Sequence, residues 1–165
     1  MIHAKAVGLK VTIFLPALIF GPPPTLTPLN LSVSLVYNFF NGTFHELPDT
    51  YAAGLFPTYI DVRDLATAHV RALTSAGAAN KRLLIGAAEL TSSLILNTLE
   101  CLAKGNIVPE LTDRLPKDTG KDTKTRLSAP RFDVNEGNEL LGLTIRSAEE
   151  TLGDLAKKVI KLENK

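Results

Sequence analysis

Apolar residues recur along the chain with two different periods, and each period predicts a different element. Near-continuous apolar runs occur at 10–15 and 81–85, and a third short run ends at Ile60. Runs of this kind are typical of strands in a parallel sheet, where both faces are buried. The pattern therefore predicts three strands, the first of them buried on both faces, with Pro16 at its end, where no ladder N–H is needed.

The segment that follows Ile60 predicts an amphipathic helix. Asp61 suits the N-cap because its carboxylate can accept free N–H groups of the first turn, and Asp64 puts negative charge at the positive end of the helix dipole. The residues at helical spacing on one stripe are Val62, Leu65, Ala66, His69, Ala72 and Leu73. A strand that passes directly into a capped helix is the joint from which α/β sheets are built, so the pattern predicts an α/β fold.

Cap signals bound two further helices. A helix that stops at Gly105 can begin at either Thr91 or Ser92, because both hydroxyls suit an N-cap. Ser147 and Glu150 have the spacing of a capping box and open the last helix.

The remaining segments are mostly connections. A stiff proline-rich loop at 21–28 precedes a helix predicted over 31–40. Residues 43–55 form a loop that could cover a cleft, and 106–130 form a long polar connection with one short strand predicted near 124–127. No internal repeat interrupts the 165 residues, so a single domain over 1–165 is expected.

Composition and charge exclude several classes of function. The chain has 18 basic and 17 acidic residues, and a net charge of +1 gives no electrostatic case for nucleic acid or an anionic membrane surface. Cys101 is the single cysteine, which excludes an internal disulfide and fits a reducing, cytoplasmic location. Lys5 and Lys10 before the apolar run 11–20 imitate a signal peptide, but Pro16 breaks the run and a buried strand is the better interpretation.

The motifs of several enzyme classes are missing from the sequence. The 11 glycines are scattered, with no G-x-G or Walker-type cluster that could cradle phosphates. No tyrosine is followed four residues later by a lysine, so no ammonium can lower the pKa of a phenol for proton transfer; Tyr59 and Arg63 come nearest. Histidines lie in three separate elements without the spacing of metal ligands, so no metal site is predicted.

Five polar positions allow both a functional and a structural interpretation. His69 could be a ligand or a base, but a core histidine is favoured because it lies on the apolar stripe. Cys101 could be a nucleophile, but a buried, inert thiol is favoured in an apolar helix. Asp61 and Asp64 could share acid–base work, although helix capping explains both; Arg63 could grip a phosphate, although a surface or interface role is favoured.

Three ordered motifs resemble those of a known family. Residues 15–22 resemble the Pro-x-x-x-Phe/Tyr-Gly-Pro segment of extended short-chain dehydrogenase/reductases, and 59–66 resemble the helix start that follows it in that family. Residues 132–134 and 140–147 resemble the closing Leu-Leu-Gly-x-x-x-Arg-Ser region. The nearest kin by these motifs are fungal ketone and methylglyoxal reductases that use NADPH, and plant dihydroflavonol and cinnamoyl-CoA reductases.

The resemblance implies a fold and a set of site residues. It implies the last strands of a Rossmann-type parallel sheet interleaved with a small substrate-binding lobe, with the dinucleotide-binding half of the family absent from 1–165. NADP is the implied cofactor, and the residues against its nicotinamide would be Pro16, Ala17, Leu18 and Ile19. The implied substrate pocket, for a small carbonyl compound, is lined by Leu18, Pro57, Thr58 and Tyr59. No residue of this chain matches the catalytic Ser or Tyr-x-x-x-Lys of the family.

Three functions are therefore open from the sequence. The first is part of an NADP-dependent oxidoreductase acting on alcohol, ketone or aldehyde groups, inactive alone because the glycine-rich loop and the Tyr-x-x-x-Lys are missing. The second is a non-catalytic protein that binds a small ligand or pairs with another chain through an exposed sheet edge. The third is a truncated gene product without a function of its own, which the DNA upstream of Met1 would reveal.

Overall fold

The structure is a computed structural model and describes residues 8–16, 18–46, 58–87, 89–117 and 132–164. Within these ranges the strands are β1 (Ile13–Pro16), β2 (Leu18–Phe20), β3 (Tyr59–Asp61) and β4 (Arg82–Ile85). The helices are α1 (Leu31–Tyr37), α2 (Val62–Thr74), α3 (Ser92–Lys104), α4 (Asn135–Leu140) and α5 (Ala148–Glu163). The predicted α/β class is confirmed.

The strands form two parallel pairs. β1 pairs with β4 in a register that places Pro16 beside Ile85, and β2 pairs with β3 in a register that places Leu18 beside Tyr59. Because β1 and β2 lie on one run of chain, this run changes its partner between Pro16 and Leu18. An antiparallel bridge between Tyr59 and Ala87 ties the end of β4 to the start of β3, so the two pairs meet at one point.

Two apolar clusters hold these elements together. The larger cluster joins α1, α3 and α5 to β2 and β3, and its fully buried members include Val36, Leu99 and Leu155. The smaller cluster lies between α2 and the β1–β4 pair and is built around Ile60, Ala68, Leu83, Ile85 and Leu141. Each fully buried Leu or Ile contributes roughly 1.5–3 kcal/mol.

Arg114 forms a clamp of hydrogen bonds that joins three segments around the larger cluster. Arg114 donates from both terminal nitrogens to the two carboxylate oxygens of Glu163 at 2.8 Å, and the Tyr37 hydroxyl donates to the same carboxylate at 2.6 Å. The hydrogen bonds from Arg114 hold the pKa of Glu163 below its usual value. The clamp therefore ties α1 and the end of α5 to the segment that follows α3.

The predicted caps are confirmed. Asp61, Thr91 and Ser147 each accept a hydrogen bond from a backbone N–H in the first turn of their helices, which decides between Thr91 and Ser92. Gly105 is the C-cap of α3, as its position predicts.

The first strand and the first helix differ from their predictions. β1 begins at Ile13. The prediction that both of its faces are buried is wrong in the described part of the chain. α2 covers one face, but Leu15 on the other face is 37% exposed. α1 ends at Tyr37 because the N–H groups of Phe39 and Phe40 bond three residues back and form turns. The strand predicted near 124–127 lies outside the described residues.

The outer edge of β4 is closed by α4. Asn138 donates from Nδ2 to the Gly86 carbonyl at 2.7 Å, and its Oδ1 accepts from the Gly86 N–H at 3.2 Å. One side-chain amide thus takes the place of a neighbouring strand's backbone. Gly137 packs so closely that an added Cβ would lie 2.2 Å from the Leu84 carbonyl oxygen. Within the described residues, α4 and not a further strand therefore covers this edge of β4.

The outer edge of β1 is open by contrast. Within the described ranges, β4 is the strand that pairs with β1. A groove of about 590 Å³ runs along the other edge, between β1 and α2. The side chains that shape it are Lys10, Thr12, Phe14, Pro16, His69 and Leu73. We call this groove and the adjoining exposed face of α2 the open edge.

Candidate functional site

The candidate site is the joint at which β1 and β4 end and β2 and β3 begin. β1 ends at Pro16 beside the end of β4, and β2 begins at Leu18 beside Tyr59 of β3. In open α/β sheets, ligands bind outside the carboxyl ends of parallel strands. Among the described residues, this end places Leu18 beside Tyr59 and Pro16 beside Ile85.

Gly86 makes the close approach of β4 to β3 possible. Its φ of +149° is one that glycine adopts readily, and an added Cβ would lie 2.4 Å from the Tyr59 carbonyl oxygen. The next residue, Ala87, donates its N–H to that same carbonyl at 2.6 Å, and its own carbonyl accepts from the Thr58 hydroxyl at 2.6 Å. The joint is therefore fixed by close contacts between two backbone segments, 58–59 and 86–87.

Thr58 and Tyr59 are buried and already have partners. Beyond the Thr58 bond to Ala87, the Tyr59 hydroxyl donates to the Arg146 carbonyl at 3.4 Å. Burial, assisted by the charges of Asp61 and Asp64, raises the pKa of Tyr59 to about 12. A phenol that donates a proton in catalysis needs the opposite shift, so Tyr59 is not poised as a general acid. Their role in lining a substrate pocket stays a prediction.

The residues predicted to contact the cofactor lie along β1 and β2. Pro16, Leu18 and Ile19 are half-buried, and the Ile19 carbonyl accepts a hydrogen bond from the hydroxyl of Ser32 in α1. The other two predicted site residues, Ala17 and Pro57, lie outside the described residues. Cofactor binding by this run stays a prediction.

The start of α2 is anchored by a fully buried carboxylate. Asp61 accepts from the Arg63 backbone N–H at 2.8 Å and from the Arg63 side chain at 2.8 and 2.9 Å. Burial alone would raise the pKa of Asp61, but the hydrogen bonds and charge of Arg63 outweigh it and hold the pKa below its usual value. Arg63 also pairs with Asp154 of α5 at 2.6 Å, so this arginine is engaged within the protein.

A second carboxylate joins the same helix to the chain before α5. Asp64 accepts from the Arg146 backbone N–H at 2.8 Å and from its guanidinium. Arg146 in turn contacts Glu150 at 2.9 Å. The capping prediction is thus confirmed for Asp61, whereas the Asp64 carboxylate holds an arginine from a distant segment.

Two predictions about buried side chains are wrong. His69 is exposed, because no described element covers that side of α2; its Nδ1 lies 2.8 Å from the Leu65 carbonyl and its ring lies 4.7 Å from that of Phe14. Cys101 is also exposed, because α3 turns a different face, that of Leu99 and Leu102, into the core.

The described residues contain no group of three or more His, Cys, Asp or Glu side chains that could hold a metal ion. In the same part of the chain, none of the helices has the length and apolar character needed to cross a membrane.

Sequence reasoning missed the two features that distinguish the sheet edges. The Asn138 clamp on Gly86 depends on a contact between residues 52 positions apart, and a lone asparagine carries no signal of it. The exposed face of α2 had a weak signal. Val70 and Leu73 lie three residues apart, outside the part of the helix that the core covers.

Comparison with known proteins shows extended similarity. The NADPH-dependent methylglyoxal reductase of Saccharomyces cerevisiae is 30% identical in an alignment of 170 residues. The alignment covers 99% of this chain and 46% of that protein. Cinnamoyl-CoA reductase 1 of Arabidopsis thaliana is 32% identical over 154 residues, which cover 93% of this chain and 40% of that protein. No protein-family model matches the chain.

A solved structure shares the fold. The crystal structure of yeast methylglyoxal/isovaleraldehyde reductase complexed with NADPH has a TM-score of 0.72 and 28% identity, over 98% of this chain and 46% of that one. The chain thus spans about half the length of the curated relatives it matches. In sequence and in its Rossmann-type α/β fold, the chain therefore matches the extended short-chain dehydrogenase/reductases of the NAD-dependent epimerase/dehydratase superfamily over about half of their length.

Proposed function

We propose that residues 1–165 supply the substrate-binding lobe and the last sheet strands of an NADP-dependent oxidoreductase that reduces a ketone or aldehyde. The similarity to a methylglyoxal reductase and a cinnamoyl-CoA reductase supports the reaction class. The observation that carries the proposal is the joint, where Pro16 pairs with Ile85 at the carboxyl end of the β1–β4 pair and Leu18 pairs with Tyr59 next to it.

The residues of this chain fit one end of a dinucleotide. The run through Pro16, Leu18 and Ile19 is half-buried, extended and held by partner strands on either side of residue 17, which suits it to lie against a flat ring. These residues would hold the nicotinamide, and NADPH supplies the hydride when it is bound. Leu18 would face the substrate and exclude water from its carbonyl carbon.

The phosphates of the cofactor need a binding segment from elsewhere. The sequence of 1–165 has no glycine cluster and no Tyr-x-x-x-Lys pair, so most of the binding energy for the dinucleotide and the proton donor are missing from it. The single domain formed by 1–165 is accordingly a partial one, and it works together with a dinucleotide-binding half.

NADPH oxidation with methylglyoxal tests the proposal. We expect no turnover above the no-protein rate with the 165-residue chain alone. We expect turnover when the chain follows, in one polypeptide, the part of the yeast methylglyoxal reductase that it does not match. Turnover by the chain alone would contradict the division of roles, and no turnover by the joined polypeptide would contradict the function.

Substitution of Leu18 tests the site within the joined polypeptide. Leu18→Ala removes apolar surface beside the predicted substrate position, and the KM for methylglyoxal should rise about tenfold, since a few methylenes in an apolar pocket are worth about 1–3 kcal/mol. Leu94→Ala, an exposed leucine on α3, is the matched control and should leave KM unchanged. Equal KM values for both variants would show that Leu18 does not line the substrate pocket.

A second candidate function rests on the open edge. A chain that pairs with another polypeptide without any catalysis would use that same edge, and it would bind its partner in the absence of NADPH. Binding of another polypeptide by the 165-residue chain, together with no turnover by the joined polypeptide, would favour this interaction function over the reductase.

A further inference from the structure

One turn of the chain holds a side-chain amide next to a backbone nitrogen that can attack it. Asn41 is the only asparagine in the sequence that is followed by a glycine. Asparagine is among the thermolabile residues, because the backbone nitrogen of the next residue can attack its side-chain carbonyl carbon. Gly42 has no side chain to hinder this approach, and a Cβ built on it would meet nothing within 4 Å.

The turn leaves the attacking nitrogen available. Asn41 and Gly42 are both exposed, and the φ of Gly42 is +86°. Among the described residues, no acceptor receives a hydrogen bond from the Gly42 N–H. Other asparagines in turns differ, because the N–H that follows each of them is bonded to a backbone carbonyl. These asparagines are Asn38, Asn80 and Asn106, and the bonded N–H groups belong to Phe39, Lys81 and Ile107.

Two hydrogen bonds orient the side-chain amide of Asn41. Its Oδ1 accepts from the Thr43 backbone N–H at 2.9 Å, and its Nδ2 donates to Asn38 Oδ1 at 3.1 Å. The first bond closes a ring of atoms that contains both the Asn41 Cγ and the Gly42 nitrogen, so it keeps the reacting atoms close together. The same bond polarises the carbonyl and stabilises the negative charge that develops on Oδ1 during attack.

We propose that Asn41 is a modification site, at which the Gly42 nitrogen displaces ammonia from the side chain. The nitrogen loses its proton and bonds to Cγ, and the Cγ–Nδ2 bond breaks as ammonia leaves with that proton. Water then adds to either carbonyl of the cyclic imide and opens it to aspartate or isoaspartate. No electrons are exchanged and no cofactor is needed, so this inference is independent of the proposed function.

Isoaspartate at position 41 would disturb the packing on both sides of the turn. It carries the backbone through the side chain and so adds a carbon to the chain between Phe40 and Phe44. Phe40 is 1% exposed, and its carbonyl accepts from Arg114 Nε at 2.7 Å. The Phe44 ring lies 5.9 Å from that of Phe39. Because both ends of the turn are held, the longer backbone should loosen one of these contacts.

Incubation of the 165-residue chain at mildly alkaline pH, followed by peptide mass spectrometry, tests the proposal. Acid should accumulate at position 41 about tenfold faster than at Asn106, which is exposed in another turn. Enzymatic methylation should detect isoaspartate in the same peptide. Gly42→Ala should slow the conversion about tenfold, because its methyl group crowds the ring that forms, and circular dichroism should show that this variant is folded. No conversion at position 41, or equal conversion at Asn106, would overturn the proposal.

A second variant separates the turn from the dipeptide. Ile107→Gly places a glycine after Asn106, at a position whose N–H is bonded to the Leu102 carbonyl at 2.9 Å. Asn106 should then react about tenfold more slowly than Asn41 in the same molecule. Equal rates would show that the dipeptide alone sets the rate, and they would overturn the role of the turn.

Urea unfolding measures the consequence of the modification. The incubated chain should unfold at a lower urea concentration than the fresh chain. Asn41→Gln is the matched control, because its longer side chain would have to close a larger ring, and its unfolding midpoint should not change on incubation. An unchanged midpoint in chain that has been converted at position 41 would refute the loosening of the turn.

Discussion

The two outer edges of the β1–β4 pair belong to similar strands but differ in what covers them. On the β4 side, a glycine allows α4 to approach the backbone, and an asparagine amide satisfies the Gly86 N–H and carbonyl. On the β1 side, the outward backbone groups of Phe14 border a groove with exposed apolar side chains. The comparison teaches that the chain's own elements cover the β4 edge, whereas within the described residues the β1 edge is left open.

The largest expected effect compares a leucine on each side of the pair. Leu83 of β4 is 2% exposed in the smaller core cluster, so Leu83→Ala should lower the free energy of unfolding by about 3 kcal/mol through lost burial and a cavity. Leu73→Ala on the open edge should change it by less than about 0.5 kcal/mol in the 165-residue chain. Urea unfolding followed by circular dichroism measures both changes. Equal losses of unfolding free energy would mean that the exposed face of α2 is already covered in the 165-residue chain.

The closed edge depends on the missing side chain of Gly137. Gly137→Ala places a methyl group against the Leu84 carbonyl oxygen, and overpacking of this kind should cost about 2 kcal/mol of unfolding free energy. Gly153→Ala in α5 is the control, because its Cβ would meet Leu102 at an ordinary 3.5 Å and should stabilise the helix by about 0.5–1 kcal/mol. Opposite signs in urea unfolding are expected, and a neutral Gly137→Ala would show that α4 can move away from β4.

A smaller effect is expected from the amide that satisfies Gly86. Asn138→Ala leaves the Gly86 N–H and carbonyl without their partner, which should cost about 1–2 kcal/mol. Asn135→Ala, at an exposed position on the same helix, is the control and should cost less than about 0.5 kcal/mol. Faster hydrogen exchange at the Gly86 amide should accompany the Asn138 change alone, and unchanged exchange there would contradict the clamp.

The local elements were predictable because their signals lie within a few residues. Asp61, Thr91 and Ser147 cap their helices as the side-chain types indicate, since a cap hydrogen bond joins neighbours in sequence. The fold class followed from apolar periodicity, and the family followed from motifs near Pro16 and Tyr59. These inferences need no knowledge of what lies across the fold.

The errors arose where burial depends on distant segments. His69 and Leu73 share the apolar stripe of α2, but only part of that stripe has a described element packed on it. Cys101 lies in an apolar helix whose contact face is set by α5. For the site, the family resemblance implied a set of lining residues, but nothing in the sequence indicated that Thr58 and Tyr59 are engaged with Ala87 and Arg146.

The change of partner along the run 13–20 constrains how the two strand pairs can move. Pro16 belongs to one pair and Leu18 to the other, and two residues of extended chain span no more than about 7 Å. The Ala87–Tyr59 bridge fixes a second point nearby. The two strand pairs therefore cannot slide apart, and a movement of one relative to the other is confined to a rotation about the joint, where the nicotinamide contact is proposed.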